Sequence, residues 1–384
     1  MSDAEVLRQG MVEGLAQRGE LDERWRATFT DVPRHEFIPE LVWRHDRDTS
    51  AHCDLIPLRR RDDPQGWLER AYANAAVTTQ VDDGHPIGEA GCGREVTSSA
   101  SMPAVVAQML AALEVEPGMR VLEIGTGTGY NAALLAHRLG AEHVVSVEVD
   151  PAVAEHARQA LATAGFGAVT VVGADGADGY LPGAPYDRVI STVSAAEMPY
   201  AWVAQTSPGG RVLTPWGTPY YPGGLLALTV HRDATATGRI VGAVLFMWLR
   251  AQRIPRYTTS RIVRDEDTAT VSTTDLHPWH VAGDVNAATA IGLRVPQCES
   301  LYHPDNSETG TLYLIDQWSR SWATLHVTTE VPYEVRQSGE RKLWDEVATA
   351  YQWWLDSGKP TADAWRFTID PDGQRIDLLL NSSS

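Results

Sequence analysis

Three glycines at alternate positions, Gly125, Gly127 and Gly129, close the run Val121-Leu-Glu-Ile-Gly-Thr-Gly-Thr-Gly-Tyr-Asn131, which is apolar except for one carboxylate, Glu123. Such a run predicts a buried parallel strand that enters a tight turn and then a helix. Glycine lets the backbone approach a ligand closely, and the free N–H groups at a helix start attract an anion. About twenty residues on, the β-branched run Val144-Val-Ser-Val-Glu-Val-Asp150 brings Glu148 to where ribose hydroxyls would be held. The two runs read as a nucleoside-binding βαβ unit. Their spacing then separates ligands. A dinucleotide fold needs G-x-G-x-x-G, because the third glycine packs the helix on the strand. Tyr130 stands in that place here, so a nicotinamide or flavin cofactor is not expected. Further on, Gly173-Ala-Asp-Gly176 ends the next strand, and Asp175 would accept a hydrogen bond from an adenine amino group. Asp-Gly is also an ordinary turn pair.

Those residues need a sheet to hold them. From residue 121 strands and helices alternate: strand 121–125, helix 131–139, strand 143–149, helix 151–164, strand 168–172, then strands at Tyr186–Val193 and Arg211–Pro215. Alternation of this kind predicts a parallel sheet covered on both faces, with ligands at the carboxyl ends of its strands. Leu225–Val230 and Ala243–Leu249, joined by the polar Arg232–Gly238, are expected to close it as an antiparallel pair. Ahead of the sheet, residues 3–30 predict one or two amphipathic helices with Leu7, Met11 and Leu15 on one face, followed by an extended, proline-punctuated piece over 32–40. Residues 45–66 read as a surface loop, and 82–100, rich in Gly and Ser, as a mobile segment leading to the site. Pro103 opens a helix with Val106, Leu110 and Leu113 on one face.

After about residue 255 the texture changes to alternating β-branched residues, loops and the tryptophans at 279, 318, 322, 344, 353, 354 and 365. A helix is expected from Arg341 to Ser357, ended by Gly358 and Pro360, and a hairpin across Asp370-Pro-Asp-Gly373. The tryptophans are expected to be mostly core, with a peptide-binding groove as the other reading. The organisation expected is residues 1–100 as a helical lid, 101–254 as the nucleoside-binding core, and 255–384 as an α+β extension.

The net charge of −18 argues against a nucleic-acid backbone as substrate, since phosphate binding needs a basic face. Arg250, Arg253, Arg256 and Arg261 make a loose basic patch that is expected to be a solvated face. Cys53, Cys92 and Cys298 are odd in number and widely spaced, so neither a disulfide framework nor a zinc ribbon is expected. His277-Pro-Trp-His280 lacks further ligands at metal-binding spacing. No signal-peptide core and no run of eighteen apolar residues occurs, so a cytoplasmic protein without a membrane partner is expected.

The acidic-x-Gly-x-Gly-x-Gly pattern resembles that of S-adenosyl-L-methionine-dependent methyltransferases, whose ligand carries a carboxylate and no pyrophosphate. Further segments narrow the resemblance. Val32-Pro-Arg-His-Glu-Phe-Ile-Pro-Glu40 resembles the V-P-R-x-x-F-V-P segment of protein-L-isoaspartate O-methyltransferases, and Ser99-Ala-Ser-Met-Pro-Ala-Val-Val-Ala107 their T-I-S-x-P-x-x-V-A segment. Ala184-Pro-Tyr-Asp-Arg-Val-Ile190 and Ser207-Pro-Gly-Gly-Arg-Val-Leu213 are similar to that family's A-P-Y-D-x-I and K-P-G-G-R-L-V strands, with Ser207 for lysine. The resemblance spans about 25–250.

It implies a doubly wound, Rossmann-like α/β methyltransferase sheet and methyl transfer from S-adenosylmethionine to an aspartyl or isoaspartyl carboxylate of a peptide or protein. It also implies that Ser101 lies beside the acceptor carboxyl, with Ser99 in the family's threonine position. The cofactor site would comprise Glu123, Gly125, Thr126, Gly127, Gly129, Tyr130, Asn131, Glu148, Asp175 and Gly176. Bottom-up, Ser101 has a second use, as a helix cap before Pro103. The chain departs from the family pattern at Asn74, where the family has aspartate, in an insertion around Asp82 and Cys92, and in its C-terminal extension. Such an extension resembles the enzymes of lanthipeptide and graspetide maturation, which esterify one aspartate of a cyclised precursor peptide on the way to aspartimide. That is the activity expected, with general isoaspartate repair as the alternative. A non-catalytic peptide-binding scaffold and a small-molecule methyltransferase are the more distant readings.

Overall fold

The computed structural model describes residues 2–45, 54–254, 262–263, 269–305 and 309–379. Cys53, Arg256, Arg261 and the final serines lie outside them. The chain forms two compact units. Unit 1 holds Met1–Val193, Pro199–Leu213 and Ala227–Ala236; unit 2 holds Ser194–Met198, Thr214–Leu226 and Thr237–Ser384.

Unit 1 opens with helices α1 (Asp3–Gln17) and α2 (Glu23–Asp31). A capping box starts α1, with Ser2 and Glu5 each satisfying the other's backbone N–H, and Asp22 caps α2. Met11, Val12, Leu15, Trp25 and Phe29 are buried, whereas Leu7 is only half-buried. The piece expected to be extended contains a 3-10 turn, Arg34–Phe37, entered through Pro33, whose fixed φ suits a turn entry.

Strands β1 (Leu41–His45) and β2 (Leu55–Arg59), helix α3 (Pro64–Tyr72), and strands β3 (Val77–Val81) and β4 (Val96–Ala100) follow. The four strands form a small sheet in the order β2-β1-β3-β4, antiparallel throughout. This corrects two loop expectations. Residues 45–66 contain β2, whose Pro57 is tolerated because β2 is an edge strand and whose Leu55 is buried. Residues 82–100 end in β4, and Gly93 is held by reciprocal backbone bonds with Leu55 (2.8 and 3.0 Å).

Helix α4 (Pro103–Leu113) leads into β5 (Val121–Ile124), α5 (Tyr130–Leu139), β6 (Val144–Glu148), α6 (Pro151–Thr163), β7 (Thr170–Gly173), β8 (Tyr186–Ser191), α7 (Tyr200–Ala204) and β9 (Thr206–Trp216). The order β7-β6-β5-β8-β9 is parallel at each pairing. The chain leaves β5 for β6 on one side and returns to β8 on the other, so β5 ends at the topological switch point, where open sheets bind ligands.

β10 (Gly224–Val230) forms as expected, but β11 is Ala236–Ala243, earlier than the expected Ala243–Leu249. The polar stretch turns within His231–Thr235, where Asp233 Oδ1 accepts from both the N–H and the hydroxyl of Thr235 (3.1 and 2.8 Å). The strand therefore starts as soon as the turn closes.

In unit 2, β12 (Thr270–Thr274), α8 (Pro278–Ala282), α9 (Val285–Arg294), β13 (Glu299–Pro304), β14 (Gly310–Asp316), β15 (Ser321–Val327), β16 (Tyr333–Ser338) and α10 (Leu343–Asp356) precede the hairpin β17 (Trp365–Asp370) and β18 (Gly373–Leu378). An antiparallel sheet, β12-β16-β15-β14-β13, packs its apolar face on α9 and α10 through Ile291, Leu312, Leu325, Val335 and Val347. Trp322, Trp344, Trp354 and Trp365 are buried, while Trp279 and Trp318 are 61% and 58% exposed.

His277 accepts from the Trp279 N–H at 3.1 Å and so caps α8. Among the described residues no cluster of His, Cys, Asp and Glu is arranged to hold a metal, and no helix is long and apolar enough to cross a membrane. Cys298 is free and buried, but Cys92 is disulfide-bonded, a pairing that an odd count and wide spacing do not reveal.

Candidate active site

Beyond β5 the chain turns at Gly125, Gly127 and Gly129, with φ of +86°, +53° and +86°. The N–H groups of Gly125 and Thr126 both donate to the Val147 carbonyl (2.8 and 3.3 Å), which ties the loop to β6. A Cβ at Gly125 would lie 2.8 Å from Thr192 Oγ1, and one at Gly129 3.3 Å from Leu161 Cγ, so both positions are also sterically closed. At Gly127 the nearest atom to a Cβ would be the Ser99 carbonyl oxygen, 3.5 Å away. That is ordinary contact, so Gly127 is required for its backbone conformation. The same distance places the end of β4 against the middle of the glycine loop.

Glu148 ends β6 and is 9% exposed. Its Oε2 accepts the Gly127 N–H at 3.0 Å and its Oε1 the Asp150 N–H at 3.1 Å. Asp150 caps α6 and also accepts from Gln80 Nε2 (3.0 Å), whose Oε1 in turn accepts from Thr97 Oγ1 (2.8 Å). Hydrogen bonds thus run from the ribose candidate to the small sheet whose last strand carries Ser99. Gln80 is not marked as functional by anything in its sequence surroundings. Asp150 carries a signal, the Asp-Pro pair that starts a helix.

Glu123 is fully buried. Its carboxylate accepts from Asn131 Nδ2 (2.7 Å) and from the Ser146 hydroxyl, which also meets Thr126 Oγ1 at 2.6 Å. Burial pushes its pKa up to about 7 against the pull of the Ser146 and Asn131 hydrogen bonds. Glu123 therefore joins Asn131 directly and Thr126 through Ser146, and the group braces the loop from behind. Tyr130 turns its ring toward Phe29 and Phe37, with centroids 6.4 and 5.7 Å away.

Asp175 is exposed at the end of β7, next to β6 in the sheet, and caps the turn Gly176–Asp178 by accepting the Ala177 N–H (2.9 Å). The Gly176 carbonyl accepts from Trp202 Nε1 (2.7 Å), which holds that turn in place. Ser101 is half-buried between β4 and α4. It does not cap α4. Met102 occupies the cap position, and the Ala104 N–H donates to Asn74 Oδ1 at 3.0 Å.

The donor and acceptor chemistry fits an S-adenosylmethionine-type ligand. A helix start behind a glycine loop suits a carboxylate, and the Glu148 carboxylate suits a vicinal diol. A protein-family model described as protein-L-isoaspartate(D-aspartate) O-methyltransferase matches residues 60–253. Protein-L-isoaspartate O-methyltransferase 2 of Polaromonas sp. is 34% identical over 233 residues, covering 61% of this chain and 90% of that protein. The protein-L-isoaspartate O-methyltransferase of Methanothermobacter thermautotrophicus is 32% identical over 242 residues, covering 62% and 93%. A solved structure of a protein-L-isoaspartate O-methyltransferase shares the fold over 97% of this chain and 99% of its own, with a TM-score of 0.54 at 19% identity. The chain thus belongs to the protein-L-isoaspartate O-methyltransferase family, enzymes that methylate carboxyl oxygens with S-adenosylmethionine.

Proposed function

We propose that this chain esterifies isoaspartyl carboxylates in damaged proteins and peptides, as a repair activity. The observation that carries the reading is the approach of the Ser99 carbonyl to Gly127, 3.5 Å from where a Cβ would stand, which sets the Ser99–Ser101 segment beside the glycine loop. The loop and the start of α5 would hold the carboxylate end of the donor, Glu148 its ribose, and Asp175 with Gly176 its adenine side. Glu123, Thr126, Tyr130 and Asn131 would act from behind by shaping that loop. When bound, the donor supplies a sulfonium methyl that a carboxylate oxygen attacks as the carbon–sulfur bond breaks and its electron pair stays on sulfur. An aspartyl-type carboxyl has a pKa of about 3.9 and is already ionised at neutral pH, so the reaction needs no general base. Ser101 and Ser99 would orient the acceptor. Alignment and exclusion of water are worth up to about 7–11 kcal/mol.

The second reading is maturation of one cyclised ribosomal peptide, in which an esterified aspartate closes to aspartimide. The exposed Trp279 and Trp318 favour it, because aromatics concentrate at surfaces that bind peptides. The C-terminal extension does not, since the solved structure of similar fold is of nearly the same extent. A labelled-methyl assay with a generic isoaspartyl peptide and a cyclised aspartate-containing peptide, side by side, tests both. Label on the generic peptide is expected. Label on the cyclised peptide alone, with later release of methanol, would replace repair with maturation.

A further inference from the structure

Arg34 is fully buried in unit 1, and its hydrogen-bond partners are all backbone carbonyls. Nη1 donates to Ala71, while Nη2 donates to Ala75 (3.4 Å), Ala100 (3.2 Å) and Ser101 (2.9 Å). Burial pulls the guanidinium pKa down to about 10. Keeping a cation there is costly, and an apolar side chain of similar volume would avoid the cost. The carbonyls explain its presence. Ala71 lies in the last turn of α3, where carbonyls lack helical partners and carry partial negative charge. Ala100 and Ser101 lie where the chain passes from β4 to α4, the segment proposed to face the acceptor. The guanidinium carbon also stands over the Tyr130 ring, 6.0 Å from its centroid. Tyr130 is the first residue of α5, directly after Gly129.

We propose that Arg34 is a positioning residue that fixes the Ser99–Ser101 segment relative to the glycine loop, and so sets the alignment of methyl donor and acceptor oxygen. The inference rests on the reading that Ser101 orients the acceptor. Arg34 has no exposed surface to offer a reactant, so it acts through the segment it holds. Its planar fork of donors serves four carbonyls, whereas the single ammonium of a lysine would keep the charge but not that geometry.

The test uses the full chain with Arg34→Lys, Ser101→Ala and the double variant. It measures kcat and KM for an isoaspartyl peptide and Kd for S-adenosylhomocysteine by calorimetry. Arg34→Lys is expected to lower kcat/KM about 10- to 100-fold, as displacements near 1 Å do, while Kd changes less than about threefold. If Arg34 acts through Ser101, the double variant loses little more than the worse single one. Additive losses, an unchanged kcat/KM, or a Kd that worsens in step with kcat/KM would each overturn the role. A wild-type chain that leaves the isoaspartyl peptide unlabelled overturns the acceptor reading itself. An active wild type with an unaffected Arg34→Lys overturns only the inference about Arg34.

Discussion

Glu123 shows how one carboxyl can brace a site without facing it. Fully buried, with its pKa pushed up to about 7, it holds its proton more tightly in the folded chain than in the unfolded one, where the value is near 4.5. Its contribution to stability is therefore fully present below the unfolded value and is lost as pH rises through about 7. Glu123→Gln keeps the shape and removes the titration. In urea melts between about pH 5 and pH 8, the variant should gain on the wild type as pH rises, and parallel curves would refute the assignment. The residue type was legible in the sequence because strand, glycine turn and helix are local patterns. Its partner Ser146 was not, because that contact exists only once β5 and β6 pair. Arg34 is harder still to read, since its carbonyl partners lie 37 to 67 positions away.

At the scale of elements, Asn74 stands between the start of α4 and Glu20. Asn74 Oδ1 accepts the Ala104 N–H, while its Nδ2 points at Glu20 Oε2, 3.5 Å away. An aspartate would still cap the helix but would bring a second carboxylate to Glu20, whose Oε2 is already paired with Arg18 Nε at 2.8 Å. Asn74→Asp is expected to lower thermal stability at neutral pH, and Glu20→Gln added to it should restore the loss. Asn74→Ala, which removes the cap, should cost about 1 kcal/mol with either residue at position 20. Differential scanning calorimetry of the four variants decides the matter, and a stable Asn74→Asp single variant would rule out the charge argument. Periodicity predicted α4 and α10 closely, because each buries one stripe, and the alternation of strand and helix placed α5 and α6. It misplaced β11 by several residues and missed β2, since a proline and a polar turn read locally as loop until a neighbouring strand pairs with them.

The whole molecule carries a net charge of −18, which acts on encounter rather than on fold. Lysine-flanked isoaspartyl peptides should therefore be methylated with higher kcat/KM than glutamate-flanked ones, and the ratio should shrink as salt is raised from about 0.01 to about 0.15 M. A ratio insensitive to salt would mean that the acceptor path does not sense the overall field. The division into units has a consequence for synthesis. Unit 1 has all its segments once Ala236 has been made, whereas unit 2 combines strands begun before residue 226 with the hairpin that ends at Leu378. At about 5–20 residues per second, roughly 7–30 s separate those two points on the ribosome. In that interval unit 1 has every segment it needs, while Trp216, Tyr220, Leu225 and Leu226 wait without the rest of their core. Nascent chains stalled between those points would be the forms that hold chaperones longest.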